Sequence, residues 1–140
     1  MLKALYQYDI GIRDKLEDCL NDVFNVHKIN EEIREYAIRL KNNIEPNYEK
    51  INEIIEKYSK NWRLNRMAVI DRNILRIAIA EMMYMPDIPE KVSINEAVEI
   101  AKQYSTEDSY AFINGILHRL YVNLANEKVW LYLYTPFRIF

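Results

Sequence analysis

Apolar residues recur three and four positions apart along most of this chain, which is the spacing that places them on one face of an α-helix. Glycine occurs only twice and proline four times, so strands joined by tight turns have little support. The pattern predicts an all-α protein, a compact bundle of about seven helices. The predicted helices span residues 2–9, 13–26, 30–43, 47–59, 65–85, 93–104 and 107–124, and they form one domain over residues 1–124.

The fifth predicted helix differs from the others in the width of its apolar surface. Between Met67 and Met85 the apolar positions cover far more than one stripe, which predicts a helix buried on most sides. Pro86 and Pro89 follow it. Because proline lacks an amide donor and restricts the preceding residue, these two residues are expected to end the helix.

Two short polar motifs predict the starts of the last two helices. Residues 93–96 (Ser-Ile-Asn-Glu) match a capping box, in which a serine oxygen accepts from a helical amide and a glutamate reaches back. Residues 105–108 (Ser-Thr-Glu-Asp) repeat this pattern with Asp108 in the last place. Gly115 lies in the middle of the final helix, where glycine costs about 1 kcal/mol against alanine, so we expect close backbone packing there.

The composition is that of one globular domain, with 140 residues of which 50% are hydrophobic and 29% charged. No stretch reaches the roughly 20 apolar residues that a membrane-spanning helix needs, and no secretory signal opens the chain. We therefore expect a cytoplasmic protein with no membrane contact.

Residues that carry catalysis or bind metal are scarce. Cys19, His27 and His118 provide too few ligands for a zinc site, and Cys19 is expected to be a small core residue. The sequence contains no glycine-rich phosphate loop, HExxH pair or CxxC motif. These features favour a protein that is not an enzyme and needs no cofactor.

Charge is unevenly distributed along the chain. The net charge is −2, yet residues 57–76 hold six basic side chains against a single carboxylate. A basic segment on an acidic protein is typical of a locally bound polyanion such as nucleic acid. An alternative stays open, in which Arg72 and Arg76 pair with carboxylates of the sixth helix such as Glu96 or Glu99.

Four segments of the chain resemble the NusB family. They are ALYQYD at 4–9, ILRIAIAEMMY at 74–84, DIPEKVSINEAVEIAK at 87–102 and EDSYAFINGIL at 107–117. The resemblance covers roughly residues 4–120 and implies an all-helical, RNA-binding transcription antitermination factor. Members of that family bind boxA RNA as a complex with NusE, a ribosomal protein, and thereby modify elongating RNA polymerase.

The resemblance also implies functional residues. The RNA-binding positions fall on Lys3, Tyr6, Lys91, Asp108 and Phe112, and the partner-binding positions on Asp71, Arg72 and Arg76. The chemistry suits single-stranded RNA, since aromatic rings stack on bases, a carboxylate accepts from base edges and a lysine contacts phosphate. A core-packing role for Tyr6 or for Phe112 fits the sequence equally well.

Both ends of the chain depart from the family pattern. Family members usually carry an arginine-rich arm before the ALYQ-like segment, whereas Lys3 is the only basic residue among the first ten here. Loss of these arginines is expected to weaken RNA binding, so either the true start lies upstream or RNA binding depends more on the partner. Residues 125–140 form an atypical apolar tail, in which aromatic residues and leucines alternate from 129 onward. We expect it to dock in cis or in a homodimer, or to pair as a strand; a frameshifted or read-through end is the alternative.

Three functions remain compatible with the sequence. The favoured one is the antitermination factor. The second is an RNA-targeting domain like that preceding rRNA cytosine methyltransferases, although no methyltransferase domain follows here. The third is a helical protein-interaction module that does not contact RNA directly.

Overall fold

The helical periodicity of the sequence is realised throughout the described chain. The computed structural model describes residues 1–60 and 62–134, with side chains as far as Lys128. Within these residues the chain forms helices and turns but no strand, which confirms the predicted all-α class, and no helix is long and apolar enough to cross a membrane. The helices are α1 (Leu2–Asp9), α2 (Leu16–Val26), α3 (Glu31–Ile44), α4 (Tyr48–Tyr58), α5 (Val69–Tyr84), α6 (Glu90–Tyr104) and α7 (Glu107–Tyr134), with 3-10 turns at Glu45–Asn47 and Leu64–Arg66.

Helix α5 is the centre of the bundle, as the width of its apolar surface predicts. It packs against α1, α3, α4, α6 and α7. Ile74, Leu75 and Ile79 are fully or almost fully buried along it. Since each such side chain contributes about 1.5–3 kcal/mol when removed from water, the core around α5 is a main source of stability.

Helix α6 begins one turn earlier than its sequence motif predicts. The carbonyl of Pro89 accepts from the amides of Val92 at 2.9 Å and Ser93 at 3.3 Å, so the helix starts directly after this proline. Ser93 consequently lies inside the helix, 1% exposed, and does not cap it. The predicted capping box at residues 93–96 is therefore wrong, because Pro89 can serve as the cap residue through its carbonyl.

The start of α7 is capped one residue later than predicted. The Thr106 hydroxyl accepts from the amide of Ser109 at 3.2 Å, so Thr106 occupies the position that the motif assigned to Ser105. The Ser105 side chain is free to turn inward as a result. Because of this shift, the Ser105 hydroxyl contacts Asp71 at the junction between α6 and α7.

The close backbone packing predicted at Gly115 is wrong, because the nearest neighbour of this glycine is the side chain of Arg119. A β-carbon added there would meet the Arg119 guanidinium, with Nη1 at 3.4 Å. Arg119 donates through Nε and Nη2 to the carbonyl of Tyr58, at 2.9 and 2.7 Å. It therefore ties α7 to the C-terminal end of α4.

Helix α7 continues ten residues beyond its predicted end at 124, as far as Tyr134. Lys128 Nζ lies 2.9 Å from Glu90 Oε1, which joins this extension to the start of α6. The strand alternative is therefore wrong for residues 129–134. Docking of the tail stays a prediction, since the side chains of 129–134 and the whole of 135–140 lie outside the described residues.

Candidate functional site

A polar cluster joins the end of α1 to the first half of α5. The carboxylate of Asp9 accepts from Arg72 Nε at 2.7 Å and from Arg76 Nη1 at 2.6 Å. The Arg76 side chain is only 3% exposed. The predicted pairing of these arginines with Glu96 or Glu99 is wrong, because α1 supplies the carboxylate.

Further bonds extend this cluster to α4. Arg76 also donates to Asn52 Oδ1 at 2.9 Å, and its guanidinium lies 4.6 Å from the centre of the Tyr48 ring. Burial alone would raise the pKa of Asp9, but the hydrogen bonds from Arg72 and Arg76 outweigh it and hold that pKa below its ordinary value. The cluster thus fixes three helices relative to one another.

Asp71 organises the junction between α6 and α7. Its carboxylate is 5% exposed and accepts from the hydroxyls of Ser105 and Ser109, each at 2.7 Å. Asp71, Arg72 and Arg76, which the resemblance assigned to partner binding, are therefore all engaged inside the protein. Direct partner contact by them stays a prediction, and the geometry gives each a supporting role inside the protein.

A wide apolar groove of about 1210 Å³ runs between α1, α3, α5 and α6. Its rim is exposed, with Tyr104 at 59% and Ile12 at 58%. Lys3 and Tyr6 lie on the α1 wall, and Tyr6 is 40% exposed, so it is a surface residue and not part of the core. We refer to this feature as the α1–α6 groove; its apolar lining includes Ile12, Ile70, Ile77, Val92, Ile100 and Tyr104.

One polar contact lies in the α1–α6 groove. The hydroxyl of Tyr36 donates to the carboxylate of Glu81, which is 8% exposed. Burial raises the pKa of Glu81 above its ordinary value. The groove therefore combines a large apolar area with a few polar groups, among them this pair, that can orient what binds there.

A second exposed site lies where α7 begins. Asp108 is exposed, and Phe112 lies one turn later on the same face of α7. Phe112 packs partly against the core and partly against Trp62, with ring centroids 6.4 Å apart and planes at 70°. Core packing and surface exposure, the two alternatives for Phe112, are therefore both present. Trp62 was not among the predicted site residues, although an exposed tryptophan beside basic residues is a recognisable signal.

The remaining predicted residues occupy separate places. Lys91 is exposed on α6, with its ammonium 6.0 Å from the centre of the Tyr121 ring on α7. Lys3 Nζ lies 3.1 Å from His27 Nε2. The contacts of the described residues thus divide the predicted RNA-binding set into three groups: Lys3 with Tyr6 on the groove, Lys91 beside α7, and Asp108 with Phe112 at the start of α7.

Comparison with known proteins gives consistent matches to one family. The sequence pattern of the NusB family matches residues 1–122. The transcription antitermination protein NusB of Chloroherpeton thalassium is 40% identical over 129 residues, which are 91% of this chain. This chain spans only 61% of the length of that relative.

Solved structures agree with the sequence comparison. NusB of T. maritima superposes with a TM-score of 0.78 at 41% identity, covering 84% of this chain and 82% of that one. A structure of the antitermination factors NusB and NusE in complex with dsRNA matches with a TM-score of 0.79 at 26% identity, covering 87% and 90%. From the family match over residues 1–122 and these relatives, we conclude that the chain belongs to the NusB family.

Proposed function

We propose that this protein is an RNA-binding transcription antitermination factor that binds boxA-like RNA together with NusE and so modifies elongating RNA polymerase. The observation that carries the proposal is the presence of two different exposed surfaces on a NusB-family fold. One is the apolar α1–α6 groove, and the other is the aromatic and charged site at the start of α7. A related structure contains NusB, NusE and RNA together.

The polar and aromatic residues at the surface have the chemistry to hold single-stranded RNA. Phe112 and Tyr6 offer rings on which bases stack, Asp108 offers an acceptor for base edges, and Lys91 offers a phosphate contact. Lys3 and Tyr6 lie at the rim of the groove, so RNA held there would run beside a protein seated in the groove.

The α1–α6 groove is the surface that we assign to NusE. Exposed apolar side chains concentrated in one concavity are typical of a protein-binding site. Helix α5, which carries the predicted partner-binding residues, contributes Ile70 and Ile77 to the lining. In this arrangement Arg72 and Arg76 act indirectly, by holding together α1 and α5, two of the helices that form the walls of the groove.

Calorimetric titration with NusE tests the groove assignment. Val92→Asp places a charge on the groove rim, where the native side chain is 48% exposed, and it should abolish measurable NusE binding. Ile33→Asp is the matched control, since Ile33 is 55% exposed on α3 and does not line the groove. Equal NusE affinity for both variants would contradict the assignment.

The assignment of Lys91 can be tested against a lysine on the same helix. Lys91→Ala should weaken RNA binding by the NusE complex several-fold and lower the logarithmic salt slope by about 0.7, the value for one phosphate contact on a single strand. Lys102→Ala is the control, because Lys102 is also exposed on α6 and lies 5.4 Å from a tyrosine ring. The same slope for both variants would remove Lys91 from the site.

One observation favours a second function, that of a protein-interaction module without RNA contact. The α1–α6 groove is wide and its lining is mostly apolar, which suits a protein partner better than nucleic acid. Under this function NusE binds, while the complex shows no preference for boxA-like RNA over a scrambled sequence.

A further inference from the structure

An exposed tryptophan lies between the end of α4 and the start of α5, in a segment that also carries three exposed basic residues. Trp62 is 54% exposed, and Lys60, Arg63 and Arg66 are exposed as well. No ion pair joins any of these three cations to a carboxylate of the described residues. We define the Trp62 patch as Trp62, Phe112, Lys60, Arg63 and Arg66.

The segment that carries the tryptophan is held by contacts with the end of α4 and with α7. The hydroxyl of Ser59, a residue 2% exposed, donates to the Trp62 carbonyl at 2.7 Å. The amide of Leu64 donates to Glu56 Oε2 at 3.0 Å, which fixes the chain after the tryptophan, and Phe112 supports the ring from α7. A ring ordered before binding loses little conformational entropy when a ligand stacks on it.

The geometry of the aromatic pair leaves room for a flat ligand. The planes of Trp62 and Phe112 meet at 70° in an edge-to-face arrangement, so Phe112 can contact only one of the two faces of the Trp62 ring. The exposed face of Trp62 therefore remains available for stacking, and Asp108 lies one turn before Phe112 on the same face of α7.

The composition of the patch distinguishes between classes of ligand. Cations alone would suit the phosphates of a duplex, whereas stacking rings need bases that have left a duplex. Two aromatic rings with three cations match the combination by which proteins hold single strands. The charge of the patch is also accessible. Arg72 and Arg76 of the same basic segment are paired with Asp9, whereas Lys60, Arg63 and Arg66 form no ion pair with a described carboxylate.

We propose that the Trp62 patch is a base-stacking platform for single-stranded RNA, which extends the RNA site from Phe112 onto the segment before α5. The proposal rests on the proposed function. It adds Trp62 as a ring on which one base stacks, and Lys60, Arg63 and Arg66 as contacts to the neighbouring phosphates.

Substitutions of the ring test the stacking role directly. Trp62→Leu should weaken binding of a labelled single-stranded boxA-like RNA to the NusE complex by about tenfold, as expected for one lost base–aromatic stack. Trp62→Phe keeps an aromatic face and should stay within about threefold of the native affinity by the same measure. Equal losses for both variants, or no loss for either, would overturn the stacking role.

Substitutions of the cations test the phosphate contacts. Arg63→Gln combined with Arg66→Gln should lower the logarithmic salt slope by about 1.4, or roughly 0.7 for each contact. Lys28→Gln combined with Lys50→Gln removes the same charge from exposed positions outside the patch and should leave the slope unchanged. Equal slopes for the two double variants would contradict the placement of RNA on the patch.

A spectroscopic measurement on the native residue separates stacking from a loss of fold. The chain has two tryptophans, so Trp130→Phe leaves Trp62 as the only one. With 5-fluorotryptophan in this chain and unlabelled NusE, addition of the RNA should shift the single fluorine resonance. RNA binding without that shift overturns the Trp62 proposal alone, whereas no RNA binding by the native complex overturns it together with the proposed function.

Discussion

Asp9 is a residue on which several internal polar contacts converge. It is the last residue of α1, and its carboxylate accepts from Arg72, Arg76 and Asn73 of α5. Its side chain is 10% exposed and that of Arg76 is 3% exposed, so water solvates little of either charge. In such a place each charge needs the other, because removing one partner leaves an uncompensated buried charge.

Substituting Asp9 should therefore be costly. We expect Asp9→Asn to lower the free energy of unfolding by about 3–5 kcal/mol, since the amide leaves two guanidinium groups without a counter-charge. Urea unfolding at neutral pH measures this change. Asp14→Asn, at an exposed position, should stay within about 0.5 kcal/mol of the native protein. A comparable loss in both variants would contradict the role of Asp9.

The same residue sets part of the dependence of stability on pH. The pKa of Asp9 is lower in the folded protein than its ordinary value, so its contribution is fully present above the unfolded pKa of about 3.9 and is lost as pH falls through the folded pKa. We expect the difference in unfolding free energy between the native protein and Asp9→Asn to shrink as the solution is acidified below about pH 4. A difference that stays constant down to pH 2 would show that the ionised carboxylate is not what stabilises the cluster.

Gly115 offers a test in the opposite direction. A β-carbon there meets only the flexible end of Arg119, while alanine favours a helix over glycine by about 1 kcal/mol. We expect Gly115→Ala to raise the free energy of unfolding by up to about 1 kcal/mol, as measured by urea unfolding. A loss of stability would mean that the displacement of Arg119 from the Tyr58 carbonyl costs more than the helix gains.

At the scale of elements, the junction of α6 and α7 is held by α5. Asp71 accepts from two serines on either side of this junction, and the first turns of α7 carry Asp108 and Phe112. The position of these two surface residues thus depends on a buried carboxylate that contacts neither of them. Asp71 can therefore influence the placement of Asp108 and Phe112 in the predicted RNA site, although its own side chain lies inside the protein.

The coupling can be measured by removing the carboxylate. We expect Asp71→Ala to lower the free energy of unfolding by about 1–3 kcal/mol, because two partly buried hydroxyls lose their acceptor. Amide hydrogen exchange at residues 105–109 should accelerate more than in the rest of α6 and α7. Asp87→Ala removes an exposed carboxylate that pairs with Arg39 and should leave both measurements nearly unchanged. Uniform acceleration across the chain would contradict a local role.

The helices themselves were largely predictable from the sequence, because the spacing of apolar residues and the positions of proline determine a helix within its own segment. Helix α1 has the predicted bounds, and α5 is buried on most sides as its sequence indicates. The ends were harder, since several residues near each end can serve as a cap. Pro89 and Thr106 took this role in place of Ser93 and Ser105, the residues that the capping motifs favoured.

The candidate site was less predictable than the fold. Arg76 and Lys91 are both basic residues on helices, yet one is buried against Asp9 and the other is exposed. The difference comes from the packing of α1 on α5, a contact between residues more than sixty positions apart. For the same reason, the α1–α6 groove could not be identified, since four helices contribute to its walls.

At the scale of the whole molecule, the protein presents two surfaces of different character. The α1–α6 groove is apolar, and the region from Trp62 to Phe112 combines rings with cations. Separate surfaces allow a protein partner and an RNA to bind at the same time, and an RNA that passes Lys3 and Tyr6 beside a protein in the groove can contact both partners. Cooperation between NusE and RNA is therefore the central property expected of this protein.

Fluorescence anisotropy of a labelled boxA-like RNA measures that property most directly. The RNA is titrated with this protein, with NusE and with the two together, at two salt concentrations, and a scrambled RNA of the same length serves as control. We expect weak binding by this protein alone and much tighter, boxA-selective binding by the pair. Equal affinity of the pair for the boxA-like and scrambled RNAs, or no gain on adding NusE, would contradict the proposed function.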